Sequence, residues 1–143
     1  MSLRPYSATV LAIAGAILMM LGLYFIFVRP PLLAEDVRYM GTSLAQIQAT
    51  VPRLLIWTRR VFWVMGGYIF TAGLLTLYIA VTTFRTRARG IAGVVMLAGL
   101  TSIGSMAVVN FIIASEFKWL ILSFSLVWTL ALVLYGLERP DSR

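Results

Sequence analysis

The chain contains no cysteine and no histidine, and only 5 of its 143 residues are acidic. Without cysteine it has no disulfide and no thiolate nucleophile. Without histidine it lacks the commonest metal ligand and the usual proton shuttle near neutral pH. The sequence therefore predicts no metal site and no cofactor.

Charged residues are also missing from four long stretches, which contain 24, 24, 26 and 19 residues. An α-helix rises about 1.5 Å per residue, so each stretch is long enough to cross a hydrocarbon core of roughly 30 Å. We therefore predict an all-α integral membrane protein with one domain, in which four transmembrane helices form a bundle. The predicted spans lie at about 6–28, 61–84, 90–114 and 119–137.

The composition supports a membrane location, because 61% of the residues are apolar. A soluble domain of this size has too little interior to bury so much apolar surface, so the lipid bilayer is the first expected partner. The net charge of +7 comes from eleven arginines and one lysine that are divided among the segments between the spans. Because these cations are not gathered in one region, we do not expect a nucleic-acid partner.

The orientation depends on the connection between the second and third spans. This short segment contains Arg85, Arg87 and Arg89 and no acid. Dense positive charge in a short loop opposes translocation, which predicts that both termini are cytoplasmic, in a plasma or inner membrane. The alternative is insertion in both orientations as an antiparallel pair, because six cations fall on each side of the predicted bilayer.

The connection between the first two spans contains an amphipathic segment at 34–51. Its apolar residues recur at intervals of three and four, which is typical of one helical face. The residues of this face are Val37, Met40, Leu44 and Ile47. We expect an interfacial helix, with the stripe on the bilayer or on the bundle itself; the alternative is a docking face for a partner.

A break is expected inside this segment near Gly41. Ser43 and Gln46 have the spacing of a helix-capping box, and Gly41 lies two residues before Ser43. Pro52 then fits the first turn of a helix that continues into the second span.

Small residues in the spans indicate faces where helices pack closely. Ala8, Ala12 and Ala16 are spaced by four in the first span, and Gly66 and Gly73 lie in the second. Small side chains on one face let two backbones approach each other, which favours packing in a membrane. We expect these residues to pack within the bundle; dimerisation through the alanine face is the alternative.

Polar side chains are sparse in the third and fourth spans. Asn110 lies six residues before Glu116, and Ser123 and Ser125 follow shortly after the tight turn at 116–118. We expect these side chains to lie at similar depth and to form hydrogen bonds with one another. Together with Ser102, they are the candidate packing or pore residues.

An enzyme is not expected from this sequence. Glu35 and Asp36 are adjacent, so on a helix they point about 100° apart and are poorly placed to act on one substrate as acid and base. We expect a structural, accessory or regulatory subunit that acts through helix packing, as a homo-oligomer or with another membrane protein. The alternative is an oligomeric channel or facilitator for a small solute.

Overall fold

The computed structural model describes residues 6–138, which form helices and loops without a strand. These residues contain six helices: α1 (Tyr6–Val28), α2 (Ala34–Tyr39), α3 (Leu44–Thr50), α4 (Leu54–Phe84), α5 (Ile91–Ile112) and α6 (Lys118–Leu137). Helices α1, α4, α5 and α6 are long and apolar enough to cross a membrane. The all-helical class and four candidate spans are therefore confirmed.

Helix α4 is longer than the predicted second span, because it begins at Leu54 rather than near residue 61. Its first two turns contain Arg59 and Arg60, whose charge placed them outside the span in the sequence analysis. Arginine is a good helix former, so the helix continues through these two residues.

The four long helices pack in the spatial order α4, α1, α6, α5. Helix α1 makes its most extensive contacts with α4 and then with α6, whereas α5 packs mainly on α6. The buried core follows this order and includes Leu11 and Leu18 of α1, Phe84 of α4 and Trp128 of α6. Helices α1 and α5 are consequently separated over part of their length.

Glycines bring α1 and α4 into close antiparallel contact. A Cβ atom added at Gly22 would lie 2.7 Å from the Gly66 carbonyl oxygen, and one added at Gly15 would lie 2.9 Å from that of Gly73. On each helix the two glycines are seven residues apart, which keeps them on one face. These positions have no room for a larger side chain.

The face of α1 that contacts α4, which we call the close face, contains Gly15 and Gly22. It differs from the face that the alanine spacing predicted. Ala8 is buried, but Ala12 is only half-buried and Ala16 is exposed. The helices follow the seven-residue spacing of Gly15 and Gly22, because glycine exposes the backbone itself and permits a closer approach than alanine. The predicted packing within the bundle therefore holds at Ala8 and Ala12, which belong to or contact the core, and is wrong at Ala16.

Two side chains of α6 bind the backbone of α5. The Trp128 indole nitrogen donates to the Val95 carbonyl oxygen at 3.0 Å, and the Ser125 hydroxyl donates to that of Ile103 at 3.2 Å. Gly99 of α5 leaves space for the indole, since an added Cβ would lie 2.6 Å from Trp128 Cδ1. A π-helical turn, Leu100–Gly104, follows this glycine.

Helices α2 and α3 are separated by a break at the expected place. Gly41 has a φ of +67°, which favours glycine, and Ser43 caps α3 by accepting a hydrogen bond from the Gln46 amide at 3.2 Å. The predicted break near Gly41 is confirmed. The segment therefore forms two separate short helices rather than one continuous helix.

Candidate ligand cavity beneath α2

Helix α2 is fixed to the bundle by polar side chains. Arg38 donates to the Ala114 carbonyl oxygen at 2.9 Å, and the Ser115 hydroxyl donates to Glu35 Oε1 at 3.0 Å. Both partners belong to the loop between α5 and α6. These contacts place α2 across the end of the helices, at what we call the α2 side of the protein.

Arg29 links the end of α1 to α2. Its guanidinium forms a 3.1 Å ion pair with Asp36, whose carboxylate also accepts the Leu33 amide at 2.8 Å. The guanidinium carbon lies 3.6 Å from the centre of the Phe62 ring and 5.3 Å from that of Phe25. The charge of Arg29 is thus paired and stacked within the protein.

Glu35 is the most deeply buried charged side chain of the described residues, with 4% exposure. Its Oε1 accepts from Ser115, which is itself only 2% exposed and whose hydroxyl oxygen also accepts the Phe117 amide at 3.1 Å. No donor among residues 6–138 bonds Glu35 Oε2, yet that atom is not sealed from contact. Glu35 is one of the residues that line the cavity described next.

A cavity of about 890 Å³ lies beneath α2, between α1, α5 and α6. Its volume is near the upper end of the range for ligand pockets. Most of the lining is apolar, and the cavity is open to one side, where Ile13 and Met20 are half or more exposed. The charged side chains that line it are Arg29, Glu35 and Asp36, all at the α2 side.

The apolar part of the cavity follows α1 from Ile13 to Tyr24. At about 1.5 Å per residue this stretch is roughly 17 Å long, close to half of a hydrocarbon core of roughly 30 Å. The cavity therefore has the length of one bilayer leaflet, with polar groups at one end only.

Asn110 lines the cavity, but it does not bond the serines of α6 as expected. Its side-chain amide donates to the Met106 carbonyl oxygen of its own helix at 2.9 Å. Ser123 likewise donates to Leu120, whereas Ser125 reaches across to Ile103. The predicted hydrogen bonds among Asn110, Ser123 and Ser125 do not form, because a carbonyl one turn away satisfies each donor locally.

Ser102 has a local role at the π-helical turn of α5. Its hydroxyl donates to the Ala98 carbonyl oxygen, and Thr101 donates in the same way to Leu97. A π-helical turn interrupts the regular backbone ladder, and side-chain hydroxyls bond carbonyls of this region. The geometry thus assigns Ser102 to the support of this turn.

The four residues proposed as a docking face do not share one environment. Ile47 is buried and Val37 is half-buried, whereas Met40 and Leu44 are 47% and 46% exposed. The break at Gly41 divides the set between two helices. Helix α2 is held mainly by its charged residues rather than by this apolar stripe.

A second polar cluster lies at the opposite end of the helices. Glu138, just after α6, accepts from the Ser7 amide at 2.9 Å and from the Ser7 hydroxyl at 2.5 Å. Arg87 donates to the Tyr135 carbonyl oxygen at 2.7 Å and lies 4.0 Å from Glu138. The carboxylate satisfies a free donor at the start of α1 and suits the positive end of the helix dipole.

Sequence reasoning missed the role of Glu35. From the sequence, Glu35 and Asp36 were considered only as an unsuitable catalytic pair; both lie in the first turn of α2, where Asp36 accepts the Leu33 amide. The burial of Glu35 depends on Ser115, which is 80 residues away, so no local pattern indicates it. In contrast, the seven-residue spacing of the glycines in α1 and α4 is visible in the sequence.

Comparison of the chain with protein-family models, curated proteins and solved structures gives no match. Within residues 6–138, no group of three or more acidic side chains is placed to hold a metal ion. The cavity and its buried carboxylate are therefore the features on which a functional proposal rests.

Proposed function

We propose that the protein is an accessory or regulatory subunit of a membrane assembly, rather than an enzyme, and that it holds the hydrocarbon chain of a lipid in the cavity beneath α2. Its partner would be a second copy or another membrane protein, bound through helix packing. The observation that carries the proposal is an apolar cavity of about 890 Å³, open to one side and about one leaflet long.

The open side supports entry from the bilayer. Ile13, Ala16 and Met20 lie on the same stretch of α1, line the cavity and are exposed. A lipid chain can reach these residues laterally without first crossing an aqueous phase. The second acyl chain of a phospholipid would remain in the surrounding membrane.

We further propose a plasma or inner membrane location with both termini in the cytoplasm, which places α2 on the outer side. The support is the short connection between α4 and α5, where Arg85, Arg87 and Arg89 lie close together. Positive loops of this kind are retained in the cytoplasm.

A channel or facilitator has less support from the geometry. Among the described residues, Asn110, Ser102 and Ser123 donate to carbonyls of their own helices rather than lining a continuous polar path. A solute flux through liposomes containing the purified protein, absent with Asn110→Leu of unchanged stability, would favour the channel instead.

The lipid proposal is tested with Ala16→Phe, which places an aromatic ring in the cavity at an exposed position. Ala98→Phe is the matched control, because Ala98 is exposed but does not line the cavity. Native mass spectrometry of protein released from phospholipid nanodiscs should show several-fold less retained phospholipid for Ala16→Phe only. Equal retention by both variants would contradict the proposal.

A further inference from the structure

The polar end of the cavity has an unbalanced charge. Of the three charged side chains in its lining, Arg29 and Asp36 form an ion pair, and Glu35 has no cationic partner among the described residues. A carboxylate removed from water is unfavourable unless a donor or a cation compensates it. Ser115 supplies one hydrogen bond to Oε1, no donor among the described residues bonds Oε2, and Glu35 lines the cavity.

We infer that the cavity selects a membrane lipid with a primary ammonium headgroup, which Glu35 binds through Oε2. The inference rests on the proposed function, since it names the headgroup of the lipid whose chain the cavity holds. An ammonium group supplies both a positive charge and N–H donors, so it matches a carboxylate oxygen that has neither.

The position of Glu35 suits such a lipid. The carboxylate lies at the α2 side, where the apolar part of the cavity ends, and the lining from Tyr24 down to Ile13 is suited to a hydrocarbon chain. A lipid in the leaflet on the α2 side has the same arrangement, with its headgroup at the surface and its chain directed to the midplane. The negative charge of Glu35 and its position at the headgroup end of the cavity thus both favour a lipid with a cationic headgroup.

Arg29, the neighbouring cation, does not occupy the Glu35 carboxylate in place of a ligand. Arg29 is held by Asp36 at 3.1 Å and by the Pro30 carbonyl oxygen at 3.1 Å, and its guanidinium is stacked on Phe62. Its side chain is only 10% exposed. The carboxylate of Glu35 therefore remains available to a ligand.

The test compares three phospholipids with identical acyl chains, bound to the delipidated full-length protein in a buffer without primary amines. Phosphatidylethanolamine has a primary ammonium, phosphatidylcholine has a cation without N–H donors, and phosphatidylglycerol has no cation. We expect phosphatidylethanolamine to bind about 10-fold tighter than the other two, as one charge-assisted hydrogen bond implies. Native mass spectrometry measures the three affinities.

Glu35→Gln should abolish this preference and leave the acyl chain bound. The amide retains an oxygen that accepts from Ser115, so the loop contact and the fold are kept. Glu116→Gln is the matched control, because Glu116 is an exposed acid of the α5–α6 loop that does not line the cavity. If both variants unfold at the same temperature as the wild-type protein, their folding is unchanged.

The outcomes separate the two proposals. If the wild-type protein binds all three lipids equally while Ala16→Phe binds none, the headgroup inference fails and the lipid cavity stands. If Ala16→Phe binds as well as wild type, the cavity proposal itself fails. If dodecylamine binds in a Glu35-dependent manner but phosphatidylethanolamine does not, the ligand is a free amphiphilic amine and the lipid inference is overturned.

Discussion

Substitution of Gly22 by alanine tests the close contact between α1 and α4. The new Cβ atom would lie 2.6 Å from the Phe70 amide nitrogen and 2.7 Å from the Gly66 carbonyl oxygen, whereas ordinary contacts begin near 3.4 Å. Both neighbours are backbone atoms and cannot rotate away. The helices must therefore separate locally by roughly 0.8 Å, a gap that forfeits a quarter to a half of each affected dispersion contact.

Such overpacking costs about 1–3 kcal/mol, and the higher helix propensity of alanine offsets up to ~1 kcal/mol of it. We expect Gly22→Ala to lower the free energy of unfolding by about 1–2 kcal/mol. The control is Gly67→Ala, because an added Cβ at Gly67 meets no atom within 4 Å. That variant should be neutral or more stable by up to ~1 kcal/mol.

Unfolding in mixed micelles of mild detergent and sodium dodecyl sulfate, followed by circular dichroism, measures both variants. Combining Gly22→Ala with Gly66→Ala should lower stability by less than the sum of the single effects, since these glycines face each other and one separation accommodates both methyl groups. Equal stabilities for Gly22→Ala and Gly67→Ala would refute the close antiparallel packing of α1 and α4.

Three further predictions concern other contacts. Trp128→Phe removes the indole donor to α5 and should destabilise the protein by about 1–2 kcal/mol in the same unfolding assay, the hydrogen bond contributing about 0.6 kcal/mol and lost packing the rest; an unchanged midpoint would contradict this contact. Glu138→Gln weakens the charge-assisted bonds to Ser7 and should speed amide hydrogen exchange in the first turn of α1, whereas unchanged exchange would exclude this cap. Reporter fusions after Arg89 and after Gln48 should be cytoplasmic and external, respectively; equal signals of both kinds at the two sites would establish dual orientation.

The sequence was sufficient to predict the number of candidate spans and the break between α2 and α3. The spans are determined by length and by absence of charge, which are local properties of the chain. The break at Gly41 and the cap at Ser43 are also local, because they depend on conformational freedom and on a hydrogen bond three residues along the chain.

Contacts between helices were harder to predict, since depth in the membrane does not determine rotation about the helix axis. Asn110, Ser123 and Ser125 lie near the same end of their helices, yet each donor has a carbonyl of its own helix within reach. The local bond forms at any rotation, whereas the bond to another helix requires one particular rotation. Ser125 achieves both, with two acceptors at 3.2 Å.

The buried carboxylate illustrates a different limit. Residues 29–60 contain most of the charge of the first half of the chain, so Glu35 is naturally read as solvated. Its burial arises because α2 folds back over the helix ends and meets Ser115 of a distant loop. Only the tertiary arrangement distinguishes it from its neighbour Asp36, which is engaged by Arg29.

The cavity exists because α1 packs on α4 and α6 and leaves another side of its surface uncovered. Ile13 and Met20 each lie two residues before a glycine of the close face, at Gly15 and Gly22, so they point about 160° away from α4. Helix α5 does not cover them, because Trp128 and its neighbours hold α5 on α6. The face of α1 that carries Ile13 and Met20 is thus left uncovered by both α4 and α5, and under the proposed function a lipid chain would enter there, between α1 and α5.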